Sequence, residues 1–270
     1  MSDHQTVLYE ERQGVAWVTL NRPEVHNAID DRMSIELREI WASLRSNESV
    51  NCVVITGSGD RAFTTGRDRS EALKGVEGEG RAGFASVPFH FDGAKEQIGP
   101  KSADLWIPVL CAVNGMACGN AFFLVGEADI VIASERATFF DPHVTFGLAS
   151  VSEAVQMSSR MPFGEVARMV LLGSHERLSA ARALDIGLVS EVTPAERLLE
   201  RARWIAESIS SQPRLAVQAT VRALWMAREL SRSQATGLSW AMIALGNAPD
   251  QREAGLREFA AGRRVDWQVR

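Results

Sequence analysis

The first half of the chain alternates short apolar runs with an amphipathic stretch. The runs are rich in β-branched side chains and too short for helices, which predicts buried strands at residues 15–20, 52–56, 109–113 and 129–133. Between the first two, apolar residues recur at helical spacing from Ile29 to Leu44, behind Asp30 or Asp31 as a cap. Strand, helix and strand in this order predict an α/β fold with a mainly parallel sheet.

The pattern changes beyond Pro194, where it predicts helices only. Apolar positions recur at helical spacing in residues 195–209, 214–230, 234–245 and 251–261. We therefore expect an α/β core over residues 1–193 and a C-terminal helical region over residues 194–270. These helices carry more apolar surface than a thin outer layer needs, which favours an interface with another copy of the chain. The alternative is an extended core within one subunit.

Composition narrows the class of protein and of partner. The chain has 270 residues, of which 46% are hydrophobic, a formal net charge of -5 and a pI near 5.6. This acidic balance argues against a nucleic-acid partner, which needs a concentrated basic surface.

Cys52, Cys111 and Cys118 lie in or beside apolar runs without metal-ligand spacing, which indicates buried, reduced thiols and no metal site. No stretch is typical of a membrane span or an export signal, so we expect a cytoplasmic protein.

One stretch, residues 106–128, has the pattern of an anion site. It contains an apolar strand, the turn Asn114-Gly115 and a run of small residues that leads into a helix. Free N–H groups at such a turn stabilise a developing negative charge, which makes it a candidate oxyanion site. The same pattern is common packing in α/β proteins, and on this stretch alone that alternative stays open.

A second stretch carries a related pattern, in which strand 52–56 leads through a glycine turn to A-F-T-T-G-R-D at residues 62–68. The two stretches together resemble the crotonase family, the enoyl-CoA hydratase/isomerase superfamily, whose motifs read roughly A-F-x-A-G-x-D and A-x-x-N-G-x-A-x-G-G-G. Three more segments resemble that family in the same order: L-N-R-P with N-A at residues 20–28, A-D-I-V-I-A at 128–133 and A-L-D-I-G-L-V at 183–189.

The resemblance implies a fold, a substrate class and a set of site residues. The fold is a β-β-α spiral core followed by a C-terminal helical oligomerisation region, assembled as a homotrimer or a dimer of trimers. The substrate is an acyl-CoA thioester, with no separate cofactor. In that family one peptide N–H group from each motif holds the thioester oxygen, and by position these belong to Arg67 and Asn120. The other implied binding residues are His26, Ala28, Thr65, Gly66, Asp68, Gly119 and Phe123.

Hydratases of that family use two glutamates to add water across a double bond, and this chain differs at both positions. Phe123 stands at the first, and His143, in F-D-P-H at residues 140–143, stands at the second. Imidazole has an unperturbed pKa of about 6.5 and is a suitable base near neutral pH, although a hydrogen-bonded structural histidine is the alternative. Glu153 is a candidate partner for the ring's other nitrogen, and Asp141 competes for that role.

These residues support three hypotheses for function. The first is hydration or isomerisation of an enoyl-CoA, with His143 moving the proton. The second is hydrolysis of an acyl-CoA thioester or a β-dicarbonyl compound, because an oxyanion site with a histidine base also serves acyl cleavage. The third is a CoA-binding scaffold without turnover. In the resembled family the segment at residues 69–101 forms part of the acyl pocket, which fits the glycines and aromatic side chains found there, and the alternative is a surface insertion.

Overall fold

The structure is a computed structural model that describes residues 6–70, 98–262, 265 and 267–270. Most of the predicted acyl-pocket segment, residues 71–97, lies outside the described residues. The described chain divides into two compact units after Ser211.

A six-stranded sheet forms the centre of the first unit. Its strands lie side by side in chain order, and every pair is parallel except the hairpin of the first two. β3 (Cys52–Gly57) and β5 (Val109–Val113) are buried at every position because both sheet faces are covered, which explains their continuous apolar sequences. The strands are β1 (Val7–Arg12), β2 (Val15–Leu20), β3 (Cys52–Gly57), β5 (Val109–Val113), β7 (Ile130–Ser134) and β10 (Glu191–Thr193).

The chain enters a second, smaller sheet after β3, β5 and β7. Its strands are β4 (Ala62–Thr64), β6 (Met116–Cys118), β8 (Thr138–Phe140) and β9 (Leu178–Ser179), in that spatial order. β4, β6 and β8 follow directly on β3, β5 and β7, which is the β-β-α spiral that the sequence predicts. Because β4, β6 and β8 are parallel, their carboxyl ends lie at one edge of the small sheet.

Helices cover both faces of the large sheet. Asp30, one of the two candidate caps in the sequence, caps α1 (Asp31–Arg45) by accepting the Met33 N–H at 2.7 Å. Its apolar side chains belong to the main core cluster, together with alternate residues of β2, β3 and β5. The other helices of this unit are α2 (Ala121–Glu127), α3 (Ser152–Ser158), α4 (Phe163–Leu172), α5 (Ala180–Asp185) and α6 (Leu198–Ser210).

The sequence predicts a boundary after residue 193, and the first compact unit extends beyond that residue to include α6. Leu198, Ala202 and Ala206 of α6 form a second core cluster with the opposite face of the large sheet. Their spacing of four residues gives one apolar stripe, which fits a helix packed on its own sheet.

The second unit, residues 212–270, contains α7 (Arg214–Glu229), α8 (Arg232–Gly246) and α9 (Pro249–Ala260). α8 begins at a capping box formed by Ser231 and Gln234. Large apolar side chains remain exposed on these helices, including Leu224, Trp240, Leu245 and Phe259. Such a surface is typical of a protein interface, and assembly into trimers stays a prediction. Among the helices described, none is long and apolar enough to cross a membrane.

Candidate active site

Three segments with candidate catalytic residues meet at the carboxyl edge of the small sheet. Residues 65–68 follow β4, residues 119–120 follow β6, and residues 141–143 follow β8. The sheet register therefore brings together residues that lie up to 78 positions apart in the sequence, from Thr65 to His143.

Gly66 is the point at which the first two segments touch. Its φ of +80° is left-handed, and a Cβ atom there would lie 2.7 Å from the carbonyl oxygen of Cys118 and 2.9 Å from the amide nitrogen of Asn120. Only glycine fits such an approach of two backbones. The Cys118 thiol also donates to the Thr65 carbonyl at 3.3 Å. The two motifs are thus in direct contact.

The backbone N–H groups of Arg67 and Asn120 are the two donors that the sequence predicts for an oxyanion site. On either side of Arg67, the Gly66 carbonyl accepts the Ile29 N–H at 2.7 Å, and the Asp68 N–H donates to the Ile29 carbonyl at 2.9 Å. Within residues 6–70, 98–262, 265 and 267–270, neither the Arg67 N–H nor the Asn120 N–H has an acceptor. Two unpaired donors on touching segments can hold one oxygen atom between them.

The loop of residues 20–28 is tied to the first motif. The Thr65 N–H donates to the His26 carbonyl at 3.2 Å. One nitrogen of the Arg22 guanidinium donates to the Ala28 carbonyl at 2.6 Å and to Asp68 Oδ2 at 2.8 Å. The candidate binding residues His26, Ala28, Thr65, Gly66 and Asp68 therefore form one connected group.

The Asp68 carboxylate is engaged within this group. Ser70 donates to Oδ1 through its hydroxyl at 2.7 Å and its N–H at 2.9 Å. The hydrogen bond from the Ser70 hydroxyl, together with Arg22, outweighs burial and keeps the pKa of Asp68 below its ordinary value. Asp68 is therefore an ionised anchor of the loop.

His143 lies beside the second motif. A Cβ atom on Gly119, which has a φ of +55°, would be 3.7 Å from the imidazole Cε1. His143 begins a short 3₁₀ helix, His143–Phe146, directly after Pro142. A side chain at Gly119 would therefore touch the imidazole, which lies next to the turn that carries the Asn120 N–H.

Asp141 orients the imidazole. Its Oδ1 lies 2.5 Å from His143 Nδ1 and accepts the His143 backbone N–H at 3.0 Å. The Asp141 side chain has no exposed surface. Burial alone would raise the pKa of Asp141, but hydrogen bonds from His143 and Ser150 outweigh it and keep that pKa below its ordinary value. An ionised carboxylate at Nδ1 assigns the ring proton to Nδ1 in neutral histidine and directs Nε2 to the other side.

Glu153 stands on that other side of the ring. It is buried, and its Oε1 lies 3.7 Å from His143 Nε2. The two carboxylates that compete in the sequence thus take different positions, with Asp141 at Nδ1 and Glu153 facing Nε2. The three side chains are close enough to suggest a metal site. Asp141 Oδ1, however, already accepts a hydrogen bond from His143 Nδ1. A metal ion bound to Nε2 would therefore have to share the Asp141 carboxylate with the imidazole ring.

Phe123 lies three residues after Asn120, in the first turn of α2, and belongs to the main core cluster. It has no polar atom, so it cannot move a proton. Sequence reasoning weighed Asp141 only as a competitor and missed Ser150, whose hydroxyl donates to Asp141 Oδ2 at 2.6 Å. No spacing rule links these two residues, because their contact depends on the path of the loop between them.

Comparisons with known proteins find relatives over nearly the whole chain. A family model described as enoyl-CoA hydratase/isomerase matches residues 10–270. An (E)-benzylidenesuccinyl-CoA hydratase of Thauera aromatica is 31% identical over 258 residues, which cover 95% of this chain and 96% of the relative. A carnitinyl-CoA dehydratase of Proteus mirabilis (strain HI4320) is 32% identical over 231 residues, covering 84% and 83%.

A solved structure is similar over nearly the whole chain. It is described as an enoyl-CoA hydratase/isomerase from Mycobacterium paratuberculosis and matches with a TM-score of 0.88 and 37% identity, over 99% of this chain and 100% of that one. A putative enoyl-CoA hydratase from Streptomyces coelicolor A3(2) matches with a TM-score of 0.87 and 27% identity, over 100% and 96%.

Proposed function

Because the chain belongs to the enoyl-CoA hydratase/isomerase family, we propose that it adds water to, or removes water from, an acyl-CoA thioester with His143 as the proton-transfer group. Enzymes of this family act on acyl-CoA, and such chemistry needs a stabilised thioester oxygen and a group that moves protons. The proposal rests on one observation. Two backbone N–H groups that have no acceptor among the described residues and one oriented histidine meet at the carboxyl ends of β4, β6 and β8.

The Arg67 and Asn120 N–H groups hold the thioester oxygen. Addition at the β-carbon pushes negative charge onto that oxygen, and two donors that are already in position stabilise the enolate without rearrangement. Contact between Gly66 and residues 118–120 keeps the donors together. Loss of one such donor typically lowers turnover about 100-fold to 1,000-fold.

His143 carries the proton in both directions. With Nδ1–H donating to Asp141, Nε2 of the neutral ring accepts a proton from water while the water oxygen bonds to the β-carbon. The electron pair of the carbon–carbon double bond moves to form the enolate. The imidazolium then returns its proton to the α-carbon, which completes hydration, and the reverse sequence is dehydration.

Glu153 positions the water. A separation of 3.7 Å between Nε2 and Oε1 allows one water molecule to form hydrogen bonds of about 2.8 Å to both atoms. One water hydrogen then faces the carboxylate and the other faces the imidazole. A histidine and a carboxylate thus take the place of the two glutamates that the resembled hydratases use.

Thioester hydrolysis is the second candidate, and the buried Asp141–His143 pair favours it. An imidazole backed by a carboxylate is a common base for activating a nucleophile in acyl transfer. If water attacks the thioester carbon, the same two N–H groups hold the oxygen of the tetrahedral intermediate. The C–S bond then breaks, and the CoA thiolate takes the proton from the imidazolium. Free thiol is therefore the distinguishing product.

Turnover assays test the proposal. Purified protein is given crotonyl-CoA, an aryl-substituted enoyl-CoA and saturated acyl-CoA thioesters, and loss of the enoyl absorbance and release of free thiol are recorded separately. We expect absorbance loss without thiol release, and a rate at least about 100-fold lower in His143→Ala with little change in KM. His175→Ala, at an exposed histidine in the short helix Gly173–His175, is the matched control. A folded His143→Ala protein with unchanged turnover would contradict the assignment.

A further inference from the structure

The Asp141 carboxylate divides its two oxygens between two partners. Oδ1 accepts both the Nδ1–H and the backbone N–H of His143. Oδ2 accepts the hydroxyl of Ser150 at 2.6 Å. We propose that Ser150 is a positioning residue that fixes the Asp141 carboxylate and, through it, the tautomer and direction of the His143 ring. This inference rests on the proposed function of His143.

Rotation of the carboxylate is the freedom that Ser150 removes. The terminal torsion of an aspartate is broad, so one hydrogen-bonded oxygen does not fix the plane of the group. The Asp141 side chain has no exposed surface, so bulk water does not reach Oδ2 to replace a lost hydrogen-bond donor. A buried carboxylate that lacks a hydrogen-bond donor at one oxygen rotates toward another donor. The imidazole that is hydrogen-bonded to its other oxygen then rotates with it.

The loop between the two residues makes this contact possible. The helix His143–Phe146 ends at Gly147, which has a φ of +75°, and the Leu148 N–H returns to the His143 carbonyl at 3.0 Å. The chain thereby reverses and brings Ser150 back to Asp141. Three residues farther on, in the first turn of α3, Glu153 faces the opposite ring nitrogen. One short segment therefore contacts the Asp141–His143 pair from both sides.

Ser150 also reduces the negative charge on the Asp141 carboxylate that faces the imidazole. A donor at Oδ2 withdraws charge from the carboxylate, which reduces the stabilisation of the imidazolium at Oδ1. Among the described residues, Glu153 on α3 and Cys118 on β6 are further titratable groups near the pair, and the charge of Arg177 also affects Cys118. Burial, followed by the charge of Asp141, raises the pKa of Cys118 to about 12, so this thiol stays neutral. Removal of the hydroxyl should therefore favour protonated His143.

Kinetics as a function of pH test the inference. We expect Ser150→Ala to lower kcat on the order of tenfold, as loss of an orienting partner typically does, with KM unchanged within about twofold. The acidic limb of the pH–rate profile should move to higher pH, because the proton leaves His143 less easily. Ser150→Thr restores a hydroxyl and should recover most of the rate. Ser158→Ala is the control, since the exposed Ser158 hydroxyl donates only to the Val155 carbonyl within its own helix.

Two further measurements keep the inference open to refutation. If Ser150→Ala does not fold, Ser150→Thr is compared with Ser150→Val, because these two side chains have the same shape and differ only in the hydroxyl group. Equal pH–rate profiles for the two variants would overturn the inference. In wild-type protein, ¹⁵N NMR should find neutral His143 protonated at Nδ1, and a ring protonated at Nε2 would overturn it as well. His143→Ala is measured alongside, because unchanged turnover there would refute the proposed function, whereas an unmoved Ser150→Ala profile would refute this inference alone.

Discussion

Replacing Gly66 by alanine tests the contact between the two motifs. A Cβ atom at this position would lie 2.7 Å from the Cys118 oxygen and 2.9 Å from the Asn120 nitrogen, whereas ordinary contact begins at 3.4 Å. Both opposing atoms belong to the backbone, so no side chain can turn away to relieve the overlap. The second motif must move away from the first by several tenths of an ångström.

Two effects of this substitution can be separated. A left-handed φ, +80° at Gly66, costs an alanine about 1–2 kcal/mol wherever it occurs. Gly187 has a φ of +81° and nothing within 4 Å of the position of a Cβ atom, so Gly187→Ala carries the backbone strain without the overlap. The difference between the two variants therefore isolates the contact with residues 118–120.

We expect Gly66→Ala to lose at least about 100-fold in kcat. The substitution displaces the Asn120 N–H, and moving a group that acts on the reacting atoms by close to 1 Å typically lowers the rate by about this factor. Gly187→Ala should keep its activity. In urea unfolding, both variants should lose stability, and Gly66→Ala should lose more. If Gly66→Ala matches Gly187→Ala in stability and retains wild-type kcat, the two backbones are not in the contact described, and the argument for a shared oxyanion site fails.

Three further predictions concern charge, the loop and assembly. The pKa of Asp141 is lower in the folded chain than its unfolded value of about 3.9, so Asp141 stabilises the fold above that pH and this stability is lost as pH falls through the folded pKa. Urea unfolding from pH 7 to pH 3 should therefore show a weaker acid dependence for Asp141→Asn than for wild type, and equal slopes would contradict this. Arg22→Ala removes the donor shared by Ala28 and Asp68 and should raise KM for acyl-CoA more than it lowers kcat; an unchanged KM would mean that this loop does not bind substrate. Light scattering at micromolar concentration should give the mass of a trimer or hexamer, whereas a persistent monomer would exclude the predicted interface.

Elements with a strong local signal were predictable from the sequence. The apolar runs of β2, β3 and β5 and the Asp30 cap of α1 are confirmed within a residue of their bounds. β4 and β6 were not predicted, because strands of three residues show no period and form only when their neighbours are in place. β1 was missed because only Val7 is buried along this charged edge strand.

The site divides in the same way. Motif positions in the sequence predict that Gly66, Gly119 and His143 lie near one another, and in the structure a Cβ atom added to Gly119 would lie 3.9 Å from Gly66 Cα and 3.7 Å from His143 Cε1. The sequence left open whether Asp141 or Glu153 orients His143, because this depends on which ring nitrogen each carboxylate faces. Contacts set by the path of a loop, such as that of Ser150 with Asp141, leave no periodic trace in a sequence.

The central claim is that Arg67 and Asn120 hold the thioester oxygen while His143 moves the proton. A crystal structure with a CoA ketone analogue, in which a methylene group replaces the thioester sulfur, tests it most directly. The account predicts a carbonyl oxygen about 2.7–3.1 Å from both amide nitrogens, with the α- and β-carbons next to His143 Nε2. A carbonyl oxygen that meets neither N–H group, or an acyl chain that lies away from His143, would contradict it.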